Sequence, residues 1–260
     1  MESGKGLRNL LLFLLPPAFW LGVWQLCAYL VERTVEGRGN ELLLPYPATV
    51  LTALLRLAGT PLFWETVAVS LGRILAGLAA GTLLGGLLAG LTCASLWADR
   101  LLSPAIRVVR ATPVASFILL VLLWTGRDSV PAIIAALMVL PVVWGNLSRG
   151  IRETDPQLLE LARAYRFSRW KTVRLIYLPS LRPYFLSAIT TAMGLAWKSG
   201  VAAEVLCLPK FAMGTQIYNT KLYLEIPDLF AWTVTVVTLS PLLEKLLRAL
   251  LARGKGGAAS

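Results

Sequence analysis

The chain has 260 residues, of which 57% are hydrophobic and only 15% charged. Soluble domains carry about a quarter charged residues, so this balance excludes an ordinary soluble globular protein and points to a polytopic membrane protein. Lys and Arg outnumber Asp and Glu by 25 to 14, and His is absent. In a membrane chain that excess reads as cytoplasmic loops facing anionic lipid rather than as a nucleic-acid surface.

Leu10 to Val31 is apolar, follows Lys5 and Arg8, and is long enough to span at about 1.5 Å per residue. No small-x-small cleavage site follows it, so residues 10–31 are expected to be an uncleaved first helix with its N-terminus inside. Glu32 to Glu65 is a polar interval, outside by alternation. Within it, Pro45-Tyr46-Pro47-Ala48-Thr49-Val50 leads into a short amphipathic helix with Leu51, Leu54, Leu55 and Ala58 on one face. Thr66 to Thr92 is the second span. Gly77, Gly81 and Gly85 form one small-residue ridge and Gly86 and Gly90 the next, a spacing that lets a neighbouring backbone approach closely. Such a pair either slides during a transport cycle or is a static contact. Gly85 to Thr92 faintly echoes a phosphate-binding loop, but Leu91 stands where Lys is required.

Leu96 to Arg110 carries Arg100, Arg107 and Arg110 and reads as a cytoplasmic interval. Pro113 to Thr125 is too short for an upright span and is expected to cross by extending back through Ile106. Val130 to Leu147, Leu181 to Leu208 and Leu229 to Leu247 complete the set. The expectation is an all-α membrane protein of about six transmembrane helices with both termini cytoplasmic. The outside segments then hold only Arg33, Arg38, Arg56, Arg127, Lys210 and Lys221, an asymmetry that fixes the orientation. Cys27, Cys93 and Cys207 show no CxxC spacing, and no metal site is expected.

Glu153 to Pro179 is the longest charged amphipathic run. Thr154 or Asp155 suits a helix cap, with Pro156 in the first turn. Leu158, Leu161, Ala162 and Tyr165 then share a face, flanked by Glu160 and Arg163. A break near Arg166-Phe167 precedes a second cap, Ser168. After it, Arg169, Trp170, Val173 and Tyr177 belong to a second short helix that Pro179 is expected to stop. Two short helices on the membrane surface, one with an apolar ridge and charged edges, have the form of a ligand for a groove in a soluble partner.

At these residues the chain resembles the binding-protein-dependent ABC importer permeases. Their cytoplasmic EAA motif runs E-A-A, a Gly four positions after the second Ala, nine residues, then I-x-L-P. Glu160-Leu161-Ala162 opens it here, and Ile176-Tyr177-Leu178-Pro179 closes it at the right spacing. Leu161 replaces the first Ala. Arg166 replaces the Gly, which implies a turn without positive φ or a longer bend through Phe167. Leu44-Pro45-Tyr46-Pro47, Ser70-Leu71-Gly72-Arg73, Pro113, and Ala196-Trp197 with Ala203-Glu204 are similar to the nitrate/sulfonate/taurine branch.

The resemblance implies a fold like that of type I ABC importer permeases. It makes residues 1–260 one transmembrane permease domain, with a core bundle over 66–252 and a coupling loop at 153–180. It also implies a coupling helix near Gln157 to Arg169, seated on cytoplasmic ATPase subunits of the plasma (inner) membrane of a bacterium or archaeon. A second permease copy or paralogue, an extracytoplasmic solute-binding protein and membrane lipid complete the partners, with no nucleic acid. No cofactor is expected in this chain, since ATP and Mg²⁺ would be bound by the partner subunit.

Charges within the membrane cost about 2.5–3.5 kcal/mol and are expected to be paired or to face water. Arg73 and Glu204 both fall in the outer third, where a pair between helices is possible, and Lys198 lies deeper. Thr190, Gly194, Trp197, Val201 and Glu204 follow one helical stripe. It reads either as a pathway wall or as packing around a structural Arg73–Glu204 pair. The leading function is the permease of an ATP-driven importer for a small polar solute, either sulfonate-, nitrate- or taurine-like or a vitamin precursor. A stand-alone secondary transporter or channel is the rival. A membrane enzyme ranks last, for want of His, a metal-ligand cluster or an intramembrane catalytic pair.

Overall fold

A computed structural model describes residues 3–35 and 42–253. Arg38, counted in the charge reading, lies outside them. Every regular element among the described residues is helical: α1 (Ser3–Thr34), α2 (Pro47–Ala58), α3 (Pro61–Ala94), α4 (Leu96–Ala111), α5 (Val114–Trp124), α6 (Val130–Arg152), α7 (Pro156–Ala164), α8 (Arg169–Thr172), a π turn (Val173–Tyr177), α9 (Leu178–Cys207), α10 (Met213–Leu222) and α11 (Ile226–Arg253).

Among the described residues α3, α6 and Ile226–Ala249 of α11 are long and apolar enough to cross a membrane. The pair α4 and α5 qualifies together but is bent by 108°. This corrects the expected third span, which does not extend back through Ile106 as one helix. A residue before proline is pushed out of the helical region, and Thr112, at ψ 133, is extended ahead of Pro113. At 32 and 30 residues, α1 and α9 have the length for a crossing. Lys198 and Glu204 lie within α9, which is not among those three apolar helices. The expected spans therefore correspond to α1, α3, the broken α4–α5 pair, α6, α9 and α11.

Pro179 does not stop the chain, contrary to the sequence expectation. A proline inside a helix lacks its N–H and its ring collides with the carbonyl four residues back. Here the π turn immediately ahead of it widens the helix, with Leu178 N–H bonding Val173 O. Helical backbone thus runs from Arg169 to Cys207.

The chain forms two compact units. The first contains described residues of Met1–Glu65 and Gln216–Val237. In it, Val50 and Ala53 of α2 pack with Ala231, supported by Trp24, Leu54, Leu57 and Phe230. Trp24 Nε1 donates to Pro45 O at 3.1 Å. Arg56 reaches both carboxylate oxygens of Asp228, at 2.5 and 2.6 Å. The buried face of α2 is therefore Val50, Ala53, Leu54 and Leu57, and Leu51 and Leu55 point away from the core. The two stripes have the same helical period, and packing selects the one with the small Ala53.

The second unit, Thr66–Thr215 and Thr238–Ser260, is built on α3, α6 and α9. A Cβ on Gly77, Gly81 or Gly85 would stand 2.3, 2.5 or 2.7 Å from the carbonyl oxygens of Ala132, Ala136 and Leu140, so α3 lies directly on the backbone of α6. Gly150 of α6 lies under the Tyr184 ring of α9, and Gly200 of α9 under Ile74 of α3, where a Cβ would come within 2.7 and 2.6 Å. Gly90 meets nothing within 4 Å. A second cluster, Ile118, Val121, Val130, Ile134, Ala203 and Cys207, joins α5 to α6 and α9.

Gly81→Ala is expected to destabilise this unit by about 1–3 kcal/mol through overpacking. Gly90→Ala, open on its helix surface, is expected to stabilise by about 0.5–1 kcal/mol through helix propensity. Thermal unfolding of the detergent-solubilised chain compares the two, and equal midpoints would contradict the close-contact reading.

Candidate functional site

The segment from Thr154 to Pro179 is fixed at its entry. The buried Thr154 hydroxyl donates to Gly150 O at 3.0 Å. The Tyr184 hydroxyl donates to Glu153 Oε2 at 2.6 Å. Asp155 caps α7 by accepting Gln157 N–H at 2.8 Å, and Pro156 takes the first turn, where no N–H is needed. Along α7, Leu158, Leu161 and Tyr165 form an exposed ridge (41%, 51% and 71% exposed), while Ala162 is buried beneath it. Gln157, Glu160 and Arg163 flank the ridge and are exposed. Large apolar side chains are thus held open between charges on this helix.

The turn after α7 departs from the expectation at Arg166. The residue adopts φ 52, the left-handed conformation a glycine would take. Phe167 N–H bonds Ala162 O at 2.8 Å and Arg166 N–H bonds Arg163 O at 3.0 Å. These are the paired bonds of a Schellman cap, which requires that conformation one residue past the helix. Satisfying two orphan carbonyls outweighs about 1–2 kcal/mol of left-handed strain.

Ser168 then caps α8 by accepting Lys171 N–H at 3.3 Å. The Lys171 ammonium sits 4.2 Å over the Phe167 ring. Arg169 is exposed, as are Trp170 (73%) and Leu178 (56%). Pro179 is also exposed, and Ile176 is the buried anchor of the motif's end.

The intramembrane charges are paired differently from the sequence expectation. Arg73 bridges Asp128 at 2.8 Å rather than Glu204. Asp128 also accepts Lys210 N–H at 3.0 Å. Glu204 is fully buried, and its Oε2 accepts Gly214 N–H at 3.1 Å. Ser70 Oγ accepts Met213 N–H at 2.9 Å. Together these side chains hold the loop between α9 and α10, where Leu208 and Phe211 take positive φ.

On α9, Trp197, Val201 and Glu204 are buried, Gly194 is half-buried, and the half-buried Thr190 hydroxyl donates to Leu186 O at 2.8 Å. The exposed face is the neighbouring stripe of Ser187, Thr191, Leu195 and Lys198.

That stripe borders a cavity the sequence reading does not single out. About 500 Å³ in volume, it lies among Arg110, Pro141, Asn146, Arg149, Thr191 and Leu195. A second cavity of about 450 Å³ shares Gly145 and Arg149 with it and includes Asp99, Arg107 and Glu153. The available signal is Asn146, the one amide side chain of α6, which follows an apolar run from Val130 to Gly145. In the sequence Arg110 reads only as an inside charge, and nothing there singles out Arg149.

The family of binding-protein-dependent transport system inner membrane components matches residues 81–253. An aliphatic sulfonates transport permease protein of Escherichia coli (strain K12) is 35% identical over 191 residues, covering 73% of this chain and 70% of that one. The taurine transport system permease protein of the same strain is 28% identical over 221 residues, covering 82% and 80%. Among solved structures, a chain of a bacterial ABC transporter involved in the import of the acidic polysaccharide alginate superposes with a TM-score of 0.64. It is 14% identical, with 97% of this chain and 99% of that one covered. At that identity the likeness is one of fold.

Arg166→Gly is expected to stabilise the α7 turn by about 1 kcal/mol, the left-handed strain less the added freedom of the unfolded glycine. Arg166→Val is expected to destabilise it. Hydrogen exchange at the Phe167 amide reads both, and faster exchange in the glycine variant would count against the strain account.

Proposed function

The chain belongs to the family of binding-protein-dependent transport system inner membrane components, and from that premise we propose how its parts divide the work of transport. It is a permease subunit of an ABC importer, of the nitrate, sulfonate and taurine branch. Its solute is a small polar molecule of the sulfonate, nitrate or taurine kind, or a vitamin precursor.

The observation that carries the rest is the exposed ridge of Leu158, Leu161 and Tyr165 on a helix capped at both ends. This ridge, with Arg163, Arg166, Phe167 and Arg169 beside it, docks into a cleft of a cytoplasmic ATPase subunit that binds ATP and Mg²⁺. The permease itself performs no hydrolysis. Closure of two ATPases draws the α7 segments of two permease copies together. The Tyr184–Glu153 bond and the continuous helix from Arg169 to Cys207 support transmission of that motion into α6 and α9. An extracytoplasmic binding protein delivers solute to the outer mouth, and hydrolysis resets the cycle. Both termini face the cytoplasm in this arrangement.

A stand-alone secondary transporter asks for a carboxylate open to water at mid-membrane. Glu204 is fully buried and engaged with the backbone, which does not favour that reading.

Leu158→Asp with Leu161→Asp is expected to reduce recovery of the ATPase with tagged permease at least tenfold and to abolish uptake, with the permease still in the membrane. Wild-type recovery from the double variant would refute the docking surface. Uptake that continues without ATP under a maintained ion gradient would refute the importer cycle.

A further inference from the structure

The two cavities that meet at Gly145 and Arg149 differ in how their charges are satisfied. In the first, both carboxylates are engaged. Asp99 accepts from Ser103 Oγ at 2.5 Å and pairs with Arg152 at 3.5 Å, and Glu153 accepts from Tyr184 at 2.6 Å. The second has no carboxylate in its lining. Neither Arg110 nor Arg149 has an ion-pair or side-chain hydrogen-bond partner among the described residues, and each guanidinium presents five N–H groups.

Asn146 gives one amide hydrogen to Val142 O at 2.8 Å and keeps the other. The walls between these groups are Met138, Pro141, Val142 and Leu195. Two guanidiniums without an ion-pair partner, facing an apolar-walled cleft that offers no carboxylate, call for an anion with several acceptor oxygens. Lys198 continues the positive charge two turns beyond Thr191, on the same exposed face of α9.

We propose that this cleft is a binding site for a small oxyanion, sulfonate or nitrate in kind, so that the permease itself holds the anionic group of its solute during passage. The assignment rests on the permease reading above and narrows it. A neutral heterocycle would leave both guanidiniums without a counter-charge. Arg110 and Arg149 take the oxygens as forks, and Asn146 adds a neutral donor.

The test titrates methanesulfonate into the full chain in phosphatidylcholine nanodiscs and follows heat release. Saturable binding is expected in the wild type, at least tenfold weaker binding in Arg110→Gln/Arg149→Gln, and unchanged binding in Arg174→Gln, a variant of an exposed residue of the π turn outside the cleft. Absence of wild-type binding, or equal affinity in the double variant, overturns the site. Should the double variant fail to fold, Arg149→Lys keeps the charge but loses the fork, and unchanged affinity in it overturns the proposal as well.

In phosphatidylglycerol nanodiscs the affinity is expected to hold. Loss of binding there assigns the cleft to a lipid headgroup and overturns the solute assignment. Recovery of the ATPase with each variant, which does not involve this cleft, separates failure of the site from failure of the importer reading.

Discussion

Three backbone approaches at glycine hold the second unit together. Gly77, Gly81 and Gly85 set α3 against the carbonyls of α6, Gly150 sets α6 under Tyr184 of α9, and Gly200 sets α9 under Ile74 of α3. In hydrocarbon there is no solvent to drive helices together, so association depends on contact area, and small residues maximise it. The three helices thereby become one triangular support, and the functional groups are carried on its outer faces. Thr191 and Lys198 lie on the face of α9 that this packing leaves exposed, and Asn146 on a half-buried part of α6 beside it.

At the other end of α9 a polar network takes over from packing. Four consecutive positions of irregular backbone, from Leu208 to Phe211, begin and end at positive φ. Glu204, Ser70 and Asp128 each accept a backbone N–H from the segment Lys210 to Gly214, and Arg73 neutralises Asp128. An irregular loop near a membrane surface needs its amides satisfied as much as a helix does. Glu204, which the sequence offers either as part of a pathway wall or as a structural partner of Arg73, here accepts a backbone N–H of this loop.

Much of the architecture was legible in the sequence because it follows from period and capping. The glycine ladder of α3, the caps Asp155 and Ser168, and the long apolar helices all carry local signals. What was not legible required knowing the neighbour. Both Leu51/Leu55 and Val50/Ala53 make plausible stripes on α2, and the partner helix decides. Arg166 takes a backbone conformation its residue type disfavours, because the Schellman bonds are worth more than the strain. On α9 the stripes through Trp197 and through Thr191 are adjacent and similar in composition, so burial separates them where hydropathy does not. Asp128, sitting in a turn, gave no hint that it would claim Arg73.

The π turn ahead of Pro179 has a geometric effect distinct from sparing the proline. Each residue of an α-helix advances about 100° and about 1.5 Å, and a π turn fits one surplus residue into a single revolution. Val173 to Tyr177 therefore acts as a phase shifter between α8 and α9. The direction in which Trp170 projects is offset from what a uniform helix ending at Cys207 would give it. The azimuth of the segment ahead of Val173 about the α9 axis is set by that one surplus residue.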